Sequence, residues 1–228
     1  MNKKQDIIFV TIVILVFAPF FLCDKLFEFY LNFNQQHGLI ASFIKFSTLA
    51  TSGELIGLRI KTGKYYKKGF GVMPRMLVWG FIGITVKLAF SFFVTNTPLL
   101  LEHFGLNNAS RVIHQDFSLE KLLVAFSIST ALNVIYAPLM MTFHKITDIH
   151  IVNNGGTLIG LFKPIKIRKI LLNLNWDIQV NFVFKKTIPL FWIPAHTITF
   201  LLPPDFQVLF AALLGIALGV ILAIADFT

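Results

Sequence analysis

Apolar residues dominate this chain in long runs, and polar residues fall mostly between them. The first run extends from Ile7 to Cys23 and is interrupted only by Thr11 and Pro19. It closes on Phe20, Phe21 and Leu22 rather than on a small-x-small cleavage site, which favours a retained first membrane helix over a cleaved signal. Leu39 to Arg59 is a second apolar segment, rich in small residues and carrying Lys45 and Glu54. Arg75 opens the clearest span, Met76 to Val94. Thr95 to Phe117, with Asn96, Pro98, Asn107 and Asn108, reads as an exposed connection. Lys121 to His144 is the next long apolar helix, with Asn133 and Pro138 inside it. The last part runs through Trp192 and Pro194 to Pro203-Pro204, which must break or kink a helix, and then from Asp205 to Ala225.

These runs predict an all-α, polytopic transmembrane helical bundle of about five to six membrane helices, forming one membrane domain over residues 1–228. Ile188 to Leu202 is the shortest predicted crossing. At ~1.5 Å per residue it reaches about 22 Å, short of a ~30 Å hydrocarbon core, so a re-entrant or interfacial path stays open.

Composition agrees with this reading: 56% of the 228 residues are hydrophobic and 14% charged, with a mean hydropathy of +0.75. A water-soluble domain has no place to hide so much apolar sequence. The net charge is +9, but it gathers between the apolar runs. Lys3 and Lys4, Lys61 to Lys68, Lys163 to Lys169 and Lys185-Lys186 all fall on one face if each segment crosses once. That distribution predicts a cytoplasmic N-terminus and membrane lipids as partners, rather than nucleic acid. Cys23 is the single cysteine, which excludes an internal disulfide framework.

Charged groups at bilayer depth are costly, about 2.5–3.5 kcal/mol each on insertion scales, so Lys45, Glu54 and Lys87 call for partners or water. Lys87 lies roughly 18 Å along a helix from Arg75. The pattern predicts that Lys87 and Glu54 meet between the second and third helices, with Asn133 and His196 completing a polar interior. A structural ion pair and a pore or substrate lining are both open readings. Gly53-x-x-x-Gly57 and Ala211-x-x-x-Gly215-x-x-x-Gly219 predict close helix packing within the bundle, and a homo-oligomer interface is the other use of such stripes. His144, Asp148 and His150 read as an interfacial cluster rather than a metal site, because no third histidine or cysteine is nearby in sequence. No nucleophile elbow, phosphate loop, dinucleotide fingerprint or zinc helix is present. The sequence therefore supports neither an enzyme nor a cofactor.

In the C-terminal third, Trp192, Pro194, His196, Thr199-Phe200 and Pro203-Pro204 resemble the Trp-Pro-x-x-Gln-x-x-Asn-Phe-x-x-x-Pro signature of the Mpv-seventeen family, which includes the twenty-two-kilodalton peroxisomal membrane protein. Aligned on Phe200, the family's glutamine falls on His196, its asparagine on Thr199 and its second proline on Pro204. The proline after tryptophan is displaced by one residue to Pro194, and the following arginine falls on Val208. Upstream, Gly53-Glu54 resembles the family's Gly-Asp pair, Arg75 with Gly83 its Arg and following Gly, and Ala137-Pro138 its Ala-Pro. The similarity covers residues 38–225 and leaves 7–23 as an additional helix. It implies a small multi-helix protein acting as a weakly selective pore, channel or transporter-like protein for small solutes, in an organelle membrane; an N-terminus unlike an arginine- and serine-rich transit peptide leaves a bacterial-type plasma membrane as the other home. A structural or lipid-interacting protein without transport is the alternative.

Overall fold

The computed structural model describes residues 3–225, with side chains at 5–20 and 22–217. Lys3, Lys4 and Gly219 lie outside the described side chains. The chain is helical, with no strand among the described residues. Its helices are α1 Lys3–Leu22, α2 Asp24–Gln36, α3 Gly38–Thr62, α4 Val72–His103, α5 Ala109–Val112, α6 Leu119–Asn153, α7 Leu158–Leu161 and α8 Ile167–Leu172. A wide π-helical segment, Ile178–Trp192, runs directly into α9 Ile193–Leu201, and α10 is Pro204–Ala225.

Five of these close into a ring: α3 packs between α10 and α4, α4 against α6, α6 against α9, and α9 back against α10. Small residues make the tightest crossings possible. A Cβ on Gly53 would stand 2.5 Å from the carbonyl oxygen of Gly215, and one on Gly83 would stand 2.5 Å from that of Ser42. The α3–α10 stripe therefore packs within the bundle, as its spacing predicts. Leu202 is extended, as the residue before a proline tends to be, and Pro203-Pro204 separates α9 from α10.

Among the described residues, three helices are long and apolar enough to cross a membrane: α3, α4 and α6. That is fewer than the five to six expected. α1 and α2 meet at 87° and add a fourth if the bent pair is one crossing. The π-helical segment carries exposed Lys185 and Lys186, and α9 has only 9 residues. The apolar part of α10 with described side chains, Pro204–Ala217, is also short. A second correction concerns 95–117. Instead of an exposed connection, α4 continues through a buried Pro98 to His103, and α5 buries Ala109 and Val112.

The bundle has two distinct ends. At one, the 63–71 loop interlocks with the 153–157 loop: Gly71 and Gly156, both at positive φ, leave no room for a Cβ on either. Asp6 joins this end through a bidentate pair with Arg59 at 2.8 Å and accepts from Tyr65 Oη at 3.1 Å. Burial raises the Tyr65 phenol above its usual range, and the Asp6 carboxylate adds to the shift. Lys61, Lys64, Lys67 and Lys68 sit in the same loop region. At the other end, α2 lies across the bundle: Asn34 and Gln35 donate to the Asp205 carboxylate, each at 3.2 Å, and Phe27 stacks on Phe206.

Candidate functional site

The inward face of α6 recurs at helical spacing through Asn133, Ala137, Met141, His144 and Asp148. Its two polar portions serve different sites.

Nearer the basic end lies a charge network. Glu54 of α3 pairs with Arg75 of α4, and its second oxygen accepts from Trp79 Nε1 and bonds His144 Nε2, both at 2.8 Å. Arg75 also pairs with Asp148 and donates from Nε to the Phe70 carbonyl at 2.8 Å. The Trp79 ring lies against the His144 ring, with centroids 4.3 Å apart. Three helices are thus tied together by ion pairs. Around Glu54 both oxygens are bonded, which is what a part-buried ion pair needs to offset its desolvation.

Nearer the middle, a partly open cavity of about 40 Å³ lies inside the ring, with walls from α3, α4, α6, α9, α10 and the end of the π-helical segment. Most of its wall is apolar, including Phe46, Val86, Phe90 and Leu132. Asn133 and His196 supply polarity. Their side chains meet at 3.0 Å across α6 and α9, and Asn133 also donates to the Ser129 carbonyl at 2.8 Å. Trp192 packs against the His196 ring at 5.2 Å. Its indole N–H is buried with no acceptor among the described residues. The Trp192 ring lines the cavity while its nitrogen is itself shielded.

Asn133 and His196 therefore meet as the sequence suggests, but Lys87 and Glu54 do not. In the antiparallel α3–α4 pair, Glu54 is level with Trp79. Lys87 lies two turns farther on, about 12 Å along the axis, where its side chain approaches Gly38. Lys45 is buried at that same far end, bonded to Asn34 Oδ1 at 2.5 Å and lying over the Tyr30 ring at 4.9 Å. Thr199 is fully buried and bonds back to the Ala195 carbonyl at 2.9 Å. Glu54, Lys45, Lys87 and Thr199 are absent from the cavity wall. The interfacial cluster of His144, Asp148 and His150 is also corrected. His144 and Asp148 face inward to Glu54 and Arg75, and buried His150 instead bonds the Leu161 carbonyl and Asn154. Among the described residues no group of three or more His, Cys, Asp or Glu is arranged to hold a metal ion.

Tyr136 on the wall, and Arg75 as the partner of Glu54, escaped the sequence reading, and Trp79, which as a tryptophan in an apolar run reads as an interface anchor, is instead buried and donates to Glu54. The four-residue spacing of Arg75 and Trp79, matching that of His144 and Asp148, was the available signal. No family, curated protein or solved structure matches this chain.

Proposed function

We propose that this chain is an integral membrane protein that provides a narrow, weakly selective path for small solutes through the centre of its helix ring. The observation that carries the reading is the Asn133–His196 pair beside Trp192, a polar spot on the wall of a largely apolar cavity lined by all the ring helices. The resemblance of Trp192, Pro194, His196, Phe200 and Pro204 to the Mpv-seventeen signature supports the same reading. The basic loop end would face the cytoplasm, in a bacterial-type plasma membrane or an organelle membrane.

A structural or lipid-interacting role is the second reading, favoured by the size of the cavity. At about 40 Å³ it holds on the order of one or two waters and is no open channel. Solute release from liposomes containing the purified protein separates the two. Graded neutral and charged solutes should leave with a size limit, and Trp192→Phe should change the rate several-fold. Liposomes that stay tight around correctly inserted protein would sink the path and leave the structural role.

A further inference from the structure

The segment from α7 to Trp176 stands outside the ring at the basic end. It is pinned there: Ile170 and Leu174 are buried, α8 packs on α6, α7 touches α4 and α6, and His150 Nε2 meets the Leu161 carbonyl at 3.1 Å. What it turns outward is unusual for a loop. Ile159 is 82% exposed, Phe162 78% and Leu172 74%, with Ile167 and Trp176 also exposed. Interleaved with these are Lys163, Lys166, Arg168 and Lys169, all exposed. Lys166, Arg168, Lys169 and Asn173 border an open groove of about 430 Å³ with Ile167 and Leu172. Large apolar side chains pointing outward are stable against acyl chains, and basic side chains among them are stable against anionic headgroups. Neither set suits water alone, and an apolar protein partner would strand the charges. From this geometry we infer that residues 158–176 form an interfacial strap that selects anionic phospholipids, with the headgroup phosphate held between Lys166, Arg168 and Lys169 and the apolar side chains entering the acyl boundary.

The inference rests on the membrane reading above, so its test separates the two. Trp79 and Trp192 are each only 5% exposed, whereas Trp176 is 42% exposed, so quenching of tryptophan fluorescence by brominated lipid reports chiefly on the strap. The full chain is reconstituted into phosphatidylcholine bilayers containing equal fractions of phosphatidylglycerol, with bromine placed on one lipid or the other. A basic side chain near an anionic surface is worth about 1 kcal/mol, so quenching by the brominated anionic lipid should be at least about threefold stronger. The preference should shrink at high salt. Lys166→Gln/Arg168→Gln/Lys169→Gln should abolish the preference while keeping the wild-type circular dichroism, and Trp176→Phe should remove most of the signal. Equal quenching by both lipids, or an intact preference in the triple variant, overturns the inference. So would displacement of the anionic lipid by polyglutamate of equal charge, which would assign the strap to an acidic protein instead. Flotation of the proteoliposomes after alkaline extraction reports separately on membrane integration: protein that floats but shows no lipid preference defeats the strap alone, and protein that is extracted defeats the membrane reading.

Discussion

The charge network around Glu54 and the pair Asn133–His196 both draw on the same helix, α6, yet they solve opposite problems. Glu54 and Asp148 are both ion-paired with Arg75, and Trp79 and His144 complete the shell around Glu54. Asn133 and His196 bond each other on the wall of a cavity that Trp192 also lines. In a medium that penalises uncompensated charge, ions are kept where they bind helices together. On the path proposed above, the Asn133–His196 pair is the polar group that a solute would meet. Polar residues in the apolar interior are therefore not equivalent evidence of a path, and what they face is more informative than their charge.

Breaking the charged side should have the largest effect. Arg75→Leu removes the buried cation shared by the part-buried carboxylates of Glu54 and Asp148, and stability measured by unfolding in detergent should fall by about 3 kcal/mol. Asn133→Leu comes next. It removes the partner of His196 and of the Ser129 carbonyl, costing about 1–3 kcal/mol in the same measurement. Trp192→Phe leaves a small void in a buried wall, so stability should fall by about 0.5–1.5 kcal/mol while solute release changes severalfold; release identical to that of the unsubstituted protein would count against the path. The smallest effect sharpens the contrast. A double-mutant cycle between Glu54→Gln and Lys87→Met should give a coupling no larger than about 0.5 kcal/mol, as for sites without shared partners, whereas the cycle between Glu54 and Arg75 should exceed it severalfold.

The runs 76–94 and 121–144 made the cores of α4 and α6 readable, because a long apolar stretch has few alternatives to a helix. Their ends were hidden. Pro98 looked like a turn, although a packed bundle tolerates proline inside a helix when neighbours compensate the lost bond. Asn133 and His196 were legible as interior polar groups, but their pairing was harder to see, with 63 residues between them. The Glu54–Lys87 pairing failed on depth. Both residues sit in apolar runs, yet an antiparallel hairpin places Glu54 beside Trp79 and puts Arg75 within reach, so the residue at the start of the helix wins over the one in its middle.

The close approach of Gly53 to Gly215 has a consequence for how the protein is made. α10 lies far along the chain from α3, yet it covers the α3 face. During synthesis α3 and α4 are complete long before Pro204 emerges, so the glycine face of α3 stays uncovered until α10 has been made. Closing the ring is therefore a late event in the folding of this segment.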